Sequence, residues 1–533
     1  MVHETVVLSF ILLSVIVALA ILATRLRIPY PILLVIGGIL LGFLPDLPDI
    51  HLDPNLIFVA FLPPLIFTSA WFTSWRDFRE SLRPILLQAV GLVLLTMLLV
   101  AWVLHTIHPD LPWSVAFILG AVVSPTDTVA AGTVIKNFRL PHRLTAVIEG
   151  ESLVNDATAL VAYRFALAAA LSGTFSPGAA ALQFVLVSVG GVLIGLIIAW
   201  PVTWLYQRID DATSEIVISL LTPYAAYLFA EALQLSGVLS CVAAGLFLGQ
   251  RSATLLSANT RLQAGAFWNV AVFLLNGFIF MLIGLQLPDI IAALSGMPFL
   301  TLLGHAVLIC LAVIVIRLIW CVASTAIAKM LSRLIPSFQP ITRWRSALLI
   351  GWSGMRGGIS LATALSIPLT LPNGAAFPGR DVVIFLTFSV ILATLELQGL
   401  TLSPLIRLLH LGEKHASGNE YRVAVRTILE AALQRIEELQ NEEWVPKDVA
   451  MALHRRYEKR IQDLRLFRYK WKGSQPSLER PKAIGRFYYE ILHAKRLAAI
   501  DLRDSGSISD EIFHAIEHDI DLEEAQFHRG KMP

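Results

Sequence analysis

Long apolar runs that recur along most of the chain are the feature that most restricts its fold. Charged residues are sparse up to about residue 410, and more than half of all Lys, Arg, Asp and Glu lie after that point. A backbone in hydrocarbon must satisfy its own N–H and C=O groups, so apolar runs of about 20 residues become helices. The sequence therefore predicts an all-α, polytopic membrane domain over residues 1–410 and a helical cytosolic domain over residues 411–533.

Composition supports this division and excludes other classes of protein. Of the 533 residues, 56% are hydrophobic and only 15% are charged, and the mean hydropathy is +0.69, as in integral membrane proteins. The net charge of +2 comes without a basic stripe interleaved with aromatics, so we expect no nucleic-acid partner. The three cysteines lie in apolar runs without metal-ligand spacing, and we expect neither a cofactor nor an enzyme.

Thirteen runs are predicted to cross the membrane. They lie at about 6–24, 30–44, 55–73, 84–107, 113–135, 142–171, 180–206, 213–234, 237–249, 265–287, 299–331, 345–369 and 381–409. Basic residues fall in every other connection, at Arg25, Arg27, Arg76, Arg79, Arg83, Lys136, Arg139, Arg143, Arg208, Arg251, Arg261, Lys329, Arg333, Arg343 and Arg345, whereas the opposite connections hold only Arg380. The positive-inside rule then predicts an outside N-terminus and a cytoplasmic tail in the plasma (inner) membrane.

The sixth run contains ionisable groups that are costly in hydrocarbon and therefore indicate a functional site. Its sequence GESLVNDATALVAYR places Ser152 and Asp156 on one helix face, with Glu151 and Asn155 about 100° round the helix. One carboxylate beside neutral oxygen ligands can hold a small hard cation or a proton.

Two other runs are interrupted at their centres. The fifth contains Ser124, Pro125, Thr126 and Asp127, and the twelfth contains the segment GMRGG, which includes Arg356. Proline removes a backbone donor and frees a carbonyl. If runs one to six and eight to thirteen form two repeats, these are corresponding members, a pattern typical of a transporter's midplane site.

Arg356 needs an anion at that depth. We prefer Glu151 as its partner in a structural ion pair. Pairing with Asp127, or a direct electrostatic effect on Asp156, is the alternative that spacing leaves open.

Four motifs in order resemble the monovalent cation/proton antiporter 1 family, the NhaP and NHE type of sodium/proton exchangers. They are FLPPLIF (61–67), SPTDTVA (124–130), GESLVNDAT (150–158) and GMRGGIS (354–360). The resemblance implies thirteen helices in two inverted six-helix repeats, with interrupted helices that cross at the midplane, and a homodimer. It also implies an ion site of Asp156, Ser152 and the Thr126 main chain, supported by Asn155 and Asp127, with Glu151 and Arg356 as the core salt bridge.

The resemblance implies electroneutral exchange of Na+ or Li+ for H+, one for one, in pH homeostasis. Thr68 stands where many members carry an acidic residue, so a second carboxylate near the site is missing. Exchange of K+ or of several monovalent cations is the main alternative. An intramembrane aspartyl protease that uses Asp127 and Asp156 is a remote one.

Overall fold

The computed structural model of this chain describes residues 2–26, 28–44, 54–135, 138, 140–173, 176–294, 298–331, 344–372, 374–411, 416–442, 444–465 and 482–529. Within these ranges the secondary structure is helical, with one isolated β-bridge between Thr370 and Ala376. The predicted all-α fold class is confirmed. Arg27, Lys136, Arg139, Arg333 and Arg343, which entered the orientation argument, lie outside the described residues.

The first part of the chain forms helices α1 (Val2–Leu26), α2 (Tyr30–Gly42), α3 (Pro54–Phe72), α4 (Trp75–Glu80), α5 (Leu82–Ile107), α6 (Trp113–Val123), α7 (Thr128–Ile135), α8 (His142–Ser172), α9 (Pro177–Tyr206), α10 (Ala212–Ala232), α11 (Gly237–Leu255), α12 (Ala258–Leu285), α13 (Leu287–Ala293), α14 (Phe299–Leu331), α15 (Trp344–Trp352), α16 (Gly358–Leu365) and α17 (Arg380–Leu409). The tail adds α18 (Ala416–Leu439), α19 (Lys447–Arg465), α20 (Lys482–Asp504) and α21 (Asp510–Arg529).

Ten helical stretches of the described residues are long and apolar enough to cross a membrane. α2 and residues 10–26 of α1 are shorter apolar helices, and α15 with α16 forms a further, interrupted segment. These elements lie where the sequence places its thirteen runs. The count of thirteen crossings itself stays a prediction.

The central helix of the membrane part is α8, which carries the polar motif. Pro141 precedes its first turn, and Gly173 ends it in the left-handed conformation with a φ of 72°. The helix packs against α5 and α6, and also contacts α3, α15 and α16. Because neighbours surround it, its polar residues are buried inside protein and do not face lipid.

The chain divides into two compact units. One comprises Met1–Arg208, Val217–Arg251 and Phe267–Gly412, and the other comprises Ile209–Ile216, Ser252–Ala266 and Glu413–Pro533. The sequence predicted a boundary between residues 410 and 411. Besides the tail, the second unit includes the start of α10, the end of α11 and the start of α12.

The second unit has its own apolar core. Leu429, Ile436 and Leu439, which recur at helical spacing along α18, are buried there, and Leu433 packs against this core. The same core contains Ala253, near the end of α11. The tail helices therefore bury apolar surface against the end of a helix that belongs to the chain before residue 410.

A buried ion cluster accompanies this core. Arg261 donates to Asp521 with both Nε and Nη2, and its Nε also lies 3.4 Å from a Glu517 oxygen. Its Nη1 donates to the carbonyls of Ala253 and Leu256. The side chains of Arg261 and Asp521 are 8% and 3% exposed. Such a planar, bidentate arrangement fixes both position and orientation of its partners.

We predict that Arg261→Ala destabilises the second unit by about 1 to 3 kcal/mol, because buried Asp521 and Glu517 lose charge-assisted contacts, although Arg496 remains 2.9 Å from Asp521. A lower thermal midpoint and earlier proteolytic cleavage of the tail in the full-length protein would show this. Arg426→Ala is the matched control, since Arg426 pairs with Glu430 on the surface at about half exposure. That variant should change stability by less than about 0.5 kcal/mol. If the two variants had the same thermal midpoint and the same rate of tail cleavage, the ion cluster would not stabilise the second unit.

Candidate ion site

The two interrupted helices meet at their breaks. Residues 124–127 separate α6 from α7, and residues 353–357 separate α15 from α16. The backbone N–H of Asp127 donates to the carbonyl of Met355 at 2.7 Å, which joins one break to the other. The midplane pair predicted from Pro125 and the GMRGG segment is therefore one structural feature, in which two extended segments satisfy each other's backbone groups.

Opposite charges sit at the opposite ends of these half-helices. The Asp127 carboxylate accepts from the Val129 N–H at 2.7 Å, at the start of α7. It also lies so close to Gly357, at the start of α16, that a Cβ there would collide with it. Helix N-termini carry partial positive charge, so Asp127 stabilises the starts of two half-helices.

Arg356 binds carbonyl groups at the end of α6 and in the second break. Its Nε donates to the Val123 carbonyl at 3.1 Å, at the end of α6, and its guanidinium also donates to Gly354. The Arg356 N–H donates to Thr394 at 3.2 Å. The guanidinium thus binds carbonyl oxygens that the breaks release, where helix C-termini carry partial negative charge.

The polar motif of α8 lies against the same break. Ser152 Oγ donates to the Thr126 carbonyl at 2.7 Å, and Asn155 Nδ2 donates to Thr126 Oγ1 at 2.7 Å. Asp156 follows Ser152 on its helix face and is 7% exposed. The structure brings together the residues that the sequence singled out as ion ligands: Asp156, Ser152 and Thr126.

The predicted ion pair between Glu151 and Arg356 is wrong. Glu151 pairs with Arg317 of α14 in a bidentate arrangement, with distances of 2.5 and 3.0 Å. Both side chains are 2% exposed. Arg356 has no carboxylate within ion-pair distance in the described part of the chain, and it contacts backbone carbonyls instead.

Arg317 reaches Glu151 because its guanidinium passes the end of α15. It donates there to the carbonyls of Ile350 and Gly351 at 3.0 and 3.2 Å. A side chain at Gly354 would collide with it. The glycines of the GMRGG segment, which the sequence indicated only as a break, therefore also make room for a buried ion pair.

The site opens on a cavity of about 80 Å³. Its polar lining comprises Ser69, Thr126, Asp127, Thr128, Ser152, Asp156, Asn276 and Ser360. A single water needs about 10 to 15 Å³ of such volume, so the cavity can hold a cation together with several waters. The acidic groups of this lining are Asp127 and Asp156.

One lining residue was missed by the sequence argument. Asn276 of α12 is 3% exposed, and its Nδ2 has no hydrogen-bond partner among the described residues. A buried amide is costly without a partner, so we infer a role for it in the site. The missed signal is an Asn within an apolar run of the sequence. Thr68, in contrast, bonds the Pro64 carbonyl of its own helix at 2.6 Å and does not line the cavity.

The sequence of this chain is similar to those of known proteins. The sequence profile of a family described as "Sodium/hydrogen exchanger, transmembrane" matches residues 11–408. A protein of Mycobacterium tuberculosis named as an uncharacterized Na+/H+ exchanger is 35% identical over 521 residues, which cover 97% of this chain and 95% of the relative. A Bacillus subtilis protein named "Sodium, potassium, lithium and rubidium/H(+) antiporter" is 31% identical over 500 residues, 92% of this chain and 73% of the relative.

A solved structure shows the same fold. The sodium proton antiporter MjNhaP1 from Methanocaldococcus jannaschii superposes with a TM-score of 0.63 and 17% sequence identity. The match covers 78% of this chain and 100% of that structure. The NhaP-like fold implied by the sequence motifs is confirmed.

We predict that Arg317→Ala lowers stability by about 3 to 5 kcal/mol, because Glu151 is left as an unpaired buried charge. Thermal melts in detergent measure this. The double variant Glu151→Leu with Arg317→Met should recover much of the loss, since it removes both charges together. Arg164→Ala is the control: Arg164 pairs with Glu231 at 2.6 Å, but its side chain is 41% exposed. An Arg317→Ala protein that melts like wild type would refute the structural role of the pair.

Proposed function

This chain belongs to the sodium/hydrogen exchanger family, and from that premise we propose that it is a secondary antiporter that exchanges Na+ or Li+ for H+ at Asp156. One observation carries the proposal. A buried carboxylate faces a cavity that also exposes Ser152 and the interrupted helix at Thr126. We assign Asp156 as the group that binds cation and proton, with Ser152 and Thr126 as ligands.

The chemistry of these oxygens suits a small hard cation. The Ser152 hydroxyl oxygen and the Thr126 carbonyl oxygen lie 2.7 Å apart, joined by the hydroxyl hydrogen. A cation bound to both oxygens would require that hydrogen to turn away, and would leave two neutral ligands beside the Asp156 carboxylate. Water in the cavity would complete the coordination shell.

Competition for one negative charge accounts for obligatory exchange. A carboxylate in a poorly solvated cavity is stabilised by a cation or by a proton, and both cannot occupy the same oxygens. If the site changes its exposure only when Asp156 is neutral, each cation carried one way is matched by a proton carried the other way. Asn155 and Asp127 support the site: the first holds α8 to the break, and the second stabilises the half-helices.

Broader cation selectivity is the second candidate. The Bacillus subtilis relative carries sodium, potassium, lithium and rubidium in its name. The lining of the cavity offers neutral oxygens and water, which a larger monovalent cation can also use. The intramembrane protease is less well supported, because the Asp127 carboxylate is engaged at the starts of two half-helices.

We also propose the orientation and assembly implied by the sequence. The basic residues of alternate connections support an outside N-terminus and a cytoplasmic tail in the plasma membrane. The family resemblance supports a homodimer and a role in cation and pH homeostasis. The transported Na+ and H+ are substrates, and no cofactor enters the mechanism.

We predict that Asp156→Asn abolishes cation-dependent proton movement, because the variant keeps the shape of the site and removes its charge. Proteoliposomes with an internal pH dye, given Na+, Li+ and K+ in turn, measure this and also fix the selectivity. Asp156→Glu should retain part of the exchange with altered affinity. Asp381→Asn, which removes a half-exposed carboxylate at the start of α17, should exchange like wild type. Retention of half the activity by Asp156→Asn would refute the assignment.

We further predict that exchange is electroneutral. Glu151 is neutralised by Arg317, Thr68 replaces an acid and Asp127 is held by helix ends, so Asp156 alone should change its occupancy. Turnover at fixed ion gradients should then be insensitive to a potential set with valinomycin. A current with the sign of excess proton movement would instead show that a second carboxylate, Asp127, takes part.

A further inference from the structure

A pair of histidines lies outside the ion site. His108 follows the last residue of α5, and His305 lies in the second turn of α14, 197 residues later. The His108 Nε2 and the His305 Nδ1 are 3.1 Å apart. The ring centroids are 4.6 Å apart and the rings are inclined at 78°. The transport chemistry at Asp156 uses neither residue.

The facing nitrogens have the separation required of two ligands on one metal ion. A neutral imidazole has one N–H donor and one acceptor nitrogen, so in the metal-free pair a single hydrogen joins the two rings. Zinc binds His nitrogens at about 2.0 to 2.1 Å, which places two such nitrogens about 2.9 to 3.4 Å apart for bond angles between 90° and tetrahedral. With Zn–N bonds of that length, the ion would lie about 1.3 Å to the side of the line between the nitrogens, and each ring would tilt by up to about 40° to aim its lone pair at it.

The pair is accessible from solution. Both histidines are half-buried, and the adjacent Pro109 and Asp110 are exposed. A Cβ added at the neighbouring Gly304 would meet no atom of the protein, so this turn of α14 is not covered at that position. Imidazole nitrogen is a ligand that zinc, copper and nickel prefer over the alkali cations.

We propose that His108 and His305 form a two-histidine site for a divalent transition metal, with Zn2+ as the representative ion, that ties the end of α5 to the start of α14. Water fills the remaining coordination positions, because the described residues contain no group of three or more His, Cys, Asp and Glu side chains that could hold a metal ion. The same α14 carries Arg317, so the metal stabilises a helix on which the ion site depends.

Binding of Zn2+ to the full-length protein, purified and freed of any histidine tag, tests the site without reference to transport. Calorimetry and the thermal midpoint in detergent should show binding that raises the midpoint. Single variants His108→Gln and His305→Gln should each weaken this binding by at least about tenfold, equivalent to about 1.4 kcal/mol. A Cu2+-loaded sample should show nitrogen couplings from two imidazoles by electron paramagnetic resonance, and a single one in either variant.

His105→Gln is the matched control. His105 lies one turn earlier on α5, where its Nδ1 is within 3.1 Å of the Leu111 carbonyl oxygen and its ring contacts Trp113. This variant should bind Zn2+ like wild type. The proposal would be overturned if both His108→Gln and His305→Gln bound Zn2+ with unchanged affinity. It would also be overturned if His105→Gln lost Zn2+ affinity to the same extent as these two variants. Because the readouts are binding and spectroscopy, their failure would leave the exchange activity at Asp156 untouched.

Discussion

The crossing of the two interrupted helices is the constraint on which the site depends. Breaking two helices inside a membrane releases backbone donors and acceptors that lipid cannot satisfy. The chain resolves this with a backbone bond from Asp127 to Met355 and with two opposite charges. Asp127 stabilises the positive starts of α7 and α16, and Arg356 stabilises the negative end of α6 and binds the Gly354 carbonyl in the second break. Because the charges of Asp127 and Arg356 cancel, the irregular backbone of the two breaks can persist beside a cavity.

A second pair of charges holds the neighbouring helices to this crossing. Arg317 and Glu151 connect α14 to α8, and Arg317 also binds the last carbonyls of α15. Thr126 receives hydrogen bonds from Asn155 and Ser152, which fixes α8 against the break. With these charges paired or held at helix ends, we propose that Asp156 is the carboxylate that exchanges its counterion. We infer this division between structural charges and one ion-exchanging charge from contacts and not from residue type.

Local spacing predicted the parts of the site that lie within one helix or one break. Ser152 and Asp156 are four residues apart and share a face in the structure, as helical geometry requires. Which arginine pairs with Glu151 depends on how α14 packs against α15, and this is a contact between distant segments that no periodicity encodes. Asn276 was missed for the same reason, since a lone amide in an apolar run carries no motif. The inclusion of Arg261 in the tail unit likewise depends on tertiary packing alone.

We propose that one cation and one proton compete for Asp156. Calorimetric titration of Na+ into the purified protein, repeated in buffers of different ionisation enthalpy, counts the protons released on binding. We expect each bound cation to release close to one proton at a pH at which Asp156 is protonated. Asp156→Asn should show neither cation binding nor proton release. Cation binding without proton release would contradict this competition. Cation binding that persists in Asp156→Asn would contradict it as well.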